Sequence, residues 1–362
     1  MNLATEAKKP IIISSMTAAS SRFKGLRPEL EQQVRKTDVQ TDQMQETLCS
    51  KWKEFKGLSR YDWDDYPKAV KILDGVDATP KDVETFSLAL SQFEGENCFH
   101  RKAGLFLSAL MNQSSHDGFI IHVSHLKENL DFLGYRNEKR VTIKGNAGHH
   151  TGENMKKGSI LVEGSSGIMT CYAMESGYVH IMGSVDSGSA GRIAGGAFIV
   201  DGDAASNNQY ALADEMSGGV VWIKGGSGSN PGQGMKGGIL IIEGDVSSML
   251  GSHLHKGATI VAKGNAGNGI GYMMESGRIY LTSDYGNIWD HDEKRLHWTT
   301  GGMSWYASHD TTGMIFHKGI LAMASHWDRF WHNLGTIVRQ HEPDPQKKAL
   351  AMIEAAKKGA GQ

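Results

Sequence analysis

The chain has 362 residues, with 38 Lys and Arg against 40 Asp and Glu, and a formal net charge of −2. That balance gives no electrostatic case for nucleic acid or for an anionic membrane surface, and no apolar run approaches the ~18 residues that a membrane-spanning helix needs. Glycine, at 45 residues, exceeds the ~7% of ordinary proteins and concentrates beyond residue 140, so two kinds of material are expected along the chain.

The opening residues, MNLATEAKKPIIISSMTAASS, place two lysines before a short apolar stretch that serines interrupt, and do not read as a secretory signal. Cys49, Cys98 and Cys171 are odd in number and form no close pair. Together these features read as a reduced, cytoplasmic protein without a disulfide framework. Residues 28–56 read as a polar, solvent-facing helix. Thr79-Pro80 is a helix-start signal for residues 80–92, and residues 98–112 (CFHRKAGLFLSALMN) form the most apolar helical candidate. GFIIHV (118–123) and LDFLGY (130–135) read as strands leading into the glycine-rich part of the chain. Residues 1–125 are thus expected to be a mostly helical N-terminal region.

From there the chain repeats. A glycine closes each apolar run at Gly145, Gly164, Gly183, Gly202, Gly225, Gly244 and Gly264, with gaps of 19, 19, 19, 23, 19 and 20 residues. Four residues before it stand Val141, Ile160, Val179, Phe198, Val221, Leu240 and Ile260. Two before it stand Ile143, Val162, Ile181, Val200, Ile223, Ile242 and Ala262. Apolar residues two apart share one face of a strand. The residue just before the glycine is usually charged and is expected to face outward, as at Lys144, Glu163 and Asp201. A second glycine closes each unit at Gly158, Gly177, Gly196, Gly219, Gly238, Gly257 and Gly277, three residues after Met155, Met174, Ile193, Met216, Met235, Leu254 and Met274. Three residues before this large column come only small residues: Gly152, Cys171, Ala190, Ala213, Gly232, Gly251 and Gly271. One size class at one place in every unit is what stacked coils require. The expected fold is mainly β, a right-handed parallel β-helix of seven to eight ~19-residue coils over residues 126–287, its regular part spanning 138–287. A helical repeat is excluded by the apolar spacing and by the glycine density.

After Gly286 the repeat dissolves into an aromatic, histidine-rich stretch. Residues 319–340, with Trp327, Phe330 and Trp331, read as an amphipathic helix, and 345–358 as an alanine-rich helix ending in a solvated tail. Residues 288–362 are therefore expected to cap the open end of the solenoid.

The recurring pattern of glycine, methionine and paired glycine, as in GSNPGQGMKGGILIIEGD (228–245), resembles the GXGXG β-helix family. That family comprises the C-terminal domain of the glutamate synthase large subunit and the β-helical subunit of formylmethanofuran dehydrogenase, with a relative in the formyltransferase/hydrolase complex. The lengthened unit DAASNNQYALADEMSGG (203–219) and the segment EGDVSSMLGSHLHKG (243–257) look like the formylmethanofuran dehydrogenase branch. The resemblance implies a non-catalytic β-helical scaffold subunit of an oxidoreductase or transferase complex in one-carbon metabolism, whose partners are catalytic protein subunits. A glutamate synthase-type subunit, and a stand-alone assembly protein that forms homo-oligomers, remain as alternatives. No intrinsic catalytic residue, cofactor or metal is expected.

The residues themselves agree with that expectation. A nucleophile elbow, a Walker phosphate loop and a C-x-x-C pair are all missing. Gly232, Gly234 and Gly237 spell G-x-G-x-x-G, but inside a coil and not between a strand and a helix. Sixteen histidines include His149-His150, His253-x-His255, and His291, His297, His309, His317, His326 and His332. They read as rim and cap residues, with a metal pair at His253 and His255, and an acid/base group of Asp284, Asp290 and Asp292 beside His291, as the competing readings. The outward column three residues before each strand-closing glycine is more informative. Leu161, Ile199, Trp222, Ile241 and Val261 form an apolar stripe where polar residues are expected, so it must be covered by the chain's own helices or by another subunit. These five are the candidate partner-interface residues.

Overall fold

The computed structural model describes residues 43–55, 65–207, 209–286, 313–317, 320–324 (backbone course only) and 344–361. The chain divides at Cys49/Ser50 into two compact units. Of the first, residues 43–49 are described, and they are helical. Everything below concerns the second.

Its dominant element is an eleven-stranded sheet in which β1 (Phe119–His122), β2 (Arg140–Lys144), β3 (Ser159–Val162), β4 (Tyr178–Ile181), β5 (Ala197–Val200) and β6 (Val220–Ile223) follow one another in space as in sequence. The order continues through β8 (Ile239–Ile242), β10 (Thr259–Ala262), β12 (Arg278–Leu281), β13 (Met314–His317) and β14 (Ile320–Ala324). All neighbours pair in parallel except β13 and β14, which are antiparallel. The result is a parallel β-solenoid of about nine turns. A second wall is built from β7 (Ser227–Ser229), β9 (Val246–Ser248) and β11 (Ala266–Asn268), extended by single bridges through Ser166, Val185 and Ala204. The four extra residues of the long unit do not disturb register, since Ala197 still pairs with Val220 and Val200 with Ile223.

The lumen is filled as the columns require. Met155, Met174, Ile193, Met216, Met235, Leu254 and Met274 are all buried, as are the two inward strand columns. The two glycine columns answer to different causes. Gly238 has φ +81° and stands where the wall turns. Gly244 lacks a positive φ, but a Cβ there would lie 2.5 Å from the Gly226 nitrogen and 2.6 Å from the Gly225 carbonyl carbon. The first glycine is set by conformation and the second by the approach of the adjacent coil.

Between strand and closing glycine, each coil carries left-handed residues at alternate positions. In the third coil these are Met169, Cys171 and Ala173, with φ of 58°, 59° and 54°. The alternation sends successive amides to opposite neighbours. Met169 N–H reaches Ser187 O in the coil ahead, Cys171 N–H reaches Thr151 O in the coil behind, and Ala173 N–H reaches Gly191 O ahead, at 3.0, 2.8 and 2.8 Å. These hydrogen bonds offset the conformational cost that non-glycine residues incur in the left-handed region.

The same device appears in the segment that the sequence reading takes for a second leading strand. Phe132, Gly134 and Arg136 are left-handed, with φ of 59°, 70° and 54°, so LDFLGY is the turning segment of a first coil and not a strand. GFIIHV is a strand, β1, and the solenoid begins there. It also continues past Gly286, because β13 pairs in parallel with β12.

The helices close the N-terminal end. They are α1 (Asp65–Ile72), α2 (Pro80–Ala89), followed by a 3-10 turn (Leu90–Phe93), and α3 (Phe99–Gln113). A capping box starts α2: Asp82 N–H donates to Thr79 Oγ1 at 3.2 Å, and Thr79 N–H donates to Asp82 Oδ2 at 2.9 Å. Ser87 of α2 accepts the amide of His122 at 3.0 Å, so this helix satisfies the edge of β1, the end strand of the sheet among the described residues. On α3, Ser108 Oγ donates to Phe132 O at 2.8 Å and accepts from Tyr135 N–H at 3.2 Å, replacing the missing preceding coil. The segment 28–56 is not solvent-facing at its end. Trp52 and Phe55 are fully buried, and Trp52 stacks on Phe93 at 4.9 Å and meets Phe106 edge-on at 5.5 Å. Within 319–340 the described residues 320–324 are strand and not helix, because they return antiparallel along β13; Trp327, Phe330 and Trp331 lie outside the described residues. Among the described residues no helix is long and apolar enough to cross a membrane.

Candidate functional site

Strand alternation gives each coil two outward positions. On the third position sit Leu161, Ile199, Trp222, Ile241 and Val261, as the stripe reading expects. On the first sit Tyr178, Ala197, Val220 and Ile239, which that reading did not include although they share its parity. The two columns together make an apolar face over β4–β10.

The chain's own last helix lies on that face. α4 (Pro345–Gly359) packs across β4, β5, β6, β8 and β10. At ~1.5 Å per residue its 15 residues reach about 22 Å, enough to cross five strands spaced ~4.8 Å apart. Ala349, Ile353 and Ala360 are buried against Tyr178, Ala197, Ile199, Val220, Ile239, Ile241 and Val261, while Met352, Ala356, Trp222 and Tyr280 are partly buried around them. Just beyond the helix Ala360 is buried, while Gly359 and Gly361 are exposed. Leu161, on β3, is half-buried and lies outside this cluster.

Charged neighbours edge the face. Trp222 Nε1–H donates to Glu243 Oε1 at 3.1 Å, and Lys263 Nζ lies 5.4 Å over the indole ring. Asp201 receives Lys224 Nζ at 2.6 Å and His180 Nε2 at 3.0 Å. Burial pushes the Asp201 carboxyl up, but the ion pair with Lys224 and the hydrogen bond with His180 outweigh it and hold the group below the usual carboxylate range. Lys357 lies 5.5 Å over the Tyr178 ring, and burial, with Asp201 and Glu354 nearby, pushes that phenol up. Along the column before each glycine, charges of opposite sign pair between successive coils, Lys144 with Glu163, Asp201 with Lys224 and Glu243 with Lys263.

His253 and His255 engage different partners. His253 meets the Tyr272 ring edge-on at 5.9 Å, while His255 Nδ1 pairs with Glu275 at 2.9 Å. His150 stacks on Phe132 at 4.6 Å and pairs with Glu153 at 2.6 Å. Asp290, His291 and Asp292 lie outside the described residues, as do His297, His309, His326 and His332. Among the described residues no group of three or more His, Cys, Asp or Glu side chains could hold a metal ion. Cys171 is fully buried in the lumen, and burial pushes its thiol up, which removes nucleophilic character.

Sequence reasoning missed one polar groove. A cavity of about 500 Å³, lined by His100, Glu128, Asp131, Asn146, His149 and Asp186 among others, lies where α3 meets the first coils. His100 stands 3.3 Å from Glu128 and 3.5 Å from Asp131. His149 accepts the Ile168 amide at Nδ1 (2.9 Å), which leaves Nε2 as the proton-bearing nitrogen, and its own amide donates to Asp131 at 2.8 Å. The residues come from a helix, a loop and successive coils, so no local motif announces them. Their polar groups are largely engaged with one another, a structural role at the joint between cap and solenoid.

Comparison of the chain with family models, with curated proteins and with solved structures finds no match.

Proposed function

We propose that this chain is a non-catalytic β-helical scaffold subunit of a multi-subunit oxidoreductase or transferase complex, most like the β-helical subunit of formylmethanofuran dehydrogenase or of the formyltransferase/hydrolase complex. The observation that carries the reading is the solid lumen. Columns of methionine, isoleucine and valine side chains fill the coils, which supports a reading in which the solenoid acts through outer surfaces other than the β4–β10 face that α4 covers. The glycine and methionine repeat supports the family resemblance, and its four-residue expansion at 203–219 supports the formylmethanofuran dehydrogenase branch. Cys98 and Cys171 are not in disulfides, in keeping with a reducing compartment.

Purification of the untagged chain from its own cells, under native conditions, tests the proposal. Stoichiometric co-purification of amidohydrolase-like and molybdopterin subunits supports it. Recovery with a glutaminase and a flavin or iron–sulfur subunit replaces it with the glutamate synthase-type reading. A defined homo-oligomer with no other polypeptide overturns both in favour of a stand-alone assembly protein. A stoichiometric transition metal lost on replacing His253 and His255 by alanine would overturn the non-catalytic part.

A further inference from the structure

The polar groove where α3 meets the first coils brings together two sets of hydrogen-bonding groups. Its floor is a corner of the solenoid, where side chains accept backbone amides of the coil ahead. Asn146 Oδ1 takes the Ser165 N–H at 2.9 Å, Ser165 Oγ takes the Ser184 N–H at 3.1 Å, and His149 Nδ1 takes the Ile168 N–H at 2.9 Å. These acceptors are committed to the fold. The donors of the same side chains are left over: the Asn146 amide N–H groups, the Ser165 hydroxyl proton and His149 Nε2–H. None of the three has a partner among the described residues. Carboxylates around the floor supply the second set. Asp186 Oδ1 takes the Ser187 N–H at 2.7 Å and Asp131 Oδ1 takes the His149 N–H at 2.8 Å, so one oxygen of each is committed to the backbone. His100 reaches Glu128 and the other Asp131 oxygen only at 3.3 and 3.5 Å, longer than a strong hydrogen bond. The contacts within the groove hold cap to solenoid, and they leave donors on the floor facing acceptors beside it.

We propose that this groove binds a neutral polyhydroxylated ligand, a mono- or disaccharide. A hydroxyl both donates and accepts, so neighbouring sugar hydroxyls can accept from Asn146, Ser165 and His149 while donating to Glu128, Asp131 and Asp186. An anion would face those three carboxylates, and a cation would face N–H and O–H groups whose orientation the fold fixes. The cavity of about 500 Å³ lies within the ~300–1,000 Å³ of small-molecule sites. All three donors belong to the coils, whereas Glu128 and Asp131 lie between α3 and β2, so the site is complete only where the cap is docked on the solenoid. The inference goes beyond the scaffold reading and needs no partner subunit.

The test uses the full-length chain with glucose, maltose and cellobiose as neutral probes, and with spermidine and inorganic phosphate as charged ones. At least one sugar should bind saturably at millimolar concentration by titration calorimetry; silence of all three overturns the proposal, as does binding of spermidine or phosphate in their place. Two substitutions reverse one outward group each without touching the inward hydrogen bond. Asn146→Asp keeps the oxygen that takes the Ser165 amide and replaces a donor with an acceptor. Asp186→Asn keeps the oxygen that takes the Ser187 amide and replaces an acceptor with a donor. Each should weaken sugar binding at least about fivefold at an unchanged melting temperature, and parent-like affinity in both overturns the site. Hydrogen exchange on the parent chain gives a reading free of substitutions. Bound sugar should slow exchange in residues 127–131, and slowing confined to other segments overturns the assignment.

Discussion

Leu240 and Ile241 are neighbours on β8 and both are fully buried, yet they belong to regions built on different principles. Leu240 points into the lumen, where every coil presents the same columns and the repeat supplies its own neighbours. Ile241 points outward, where the next coils continue the apolar stripe but supply no cover, and a helix from the far end of the chain must arrive to bury it. The comparison teaches that one strand can be half self-sufficient and half dependent. The lumen is closed by the repeat, and the outer face is closed by docking.

Substitutions on the two faces should separate these principles. The largest effect is expected inside. Met235→Asp places a carboxylate in a fully buried column without a partner and should lower stability by roughly 3–5 kcal/mol; a parent-like denaturation midpoint would show that the methionine ladder is not interior. The neighbouring pair comes next. Leu240→Ala leaves a cavity among side chains fixed by coils above and below, an expected loss of about 3–4 kcal/mol, whereas Ile241→Ala should lose nearer ~2 kcal/mol because α4 can settle onto the smaller side chain. If the two variants cost the same in chemical denaturation, α4 is as rigid as a coil. Trp222→Ala, at the half-buried edge of the face, is expected to cost only about 1 kcal/mol. Because α4 and not another chain lies on the face here, sedimentation should show no change in oligomeric state for that variant; a change would put a second subunit on Trp222.

The smallest effect is electrostatic. Asp201 has its carboxyl held below the usual range in the folded chain by Lys224 and His180. A depressed carboxylate contributes stability that is present above its unfolded value, near ~3.9, and is lost as pH falls through the lower folded value. Asp201→Asn should therefore flatten part of the acid-side loss of stability below about pH 4. An unchanged acid limb would mean the pairs with Lys224 and His180 do not persist in solution.

The sequence read alone supports the solenoid, its inner columns and the small residues at its turns, because each depends on a pattern repeated at short range. It misjudged the beginning. LDFLGY lacks the glycine and methionine spacing of later coils, and the left-handed residues Phe132 within it and Arg136 just after it carry no signal of their own. The stripe of Leu161, Ile199, Trp222, Ile241 and Val261 was legible as a surface that needs a cover. Tyr178, Ala197, Val220 and Ile239 share that parity but stand outside the stripe as read. Residues 345–358 read as an alanine-rich helix ending in a solvated tail, without the apolar face that Ala349 and Ile353 form.

What joined them was not in the sequence. An outward apolar column and an amphipathic helix are each half of a contact, and neither specifies its other half when many residues separate them. Hydrophobic burial is non-directional, so the pattern says that each surface must be covered without saying by what. The period of the repeat, being local, determined how the coils stack. Only the tertiary structure decided which helix closes the outer face, because that depends on where the chain returns after the repeat has ended.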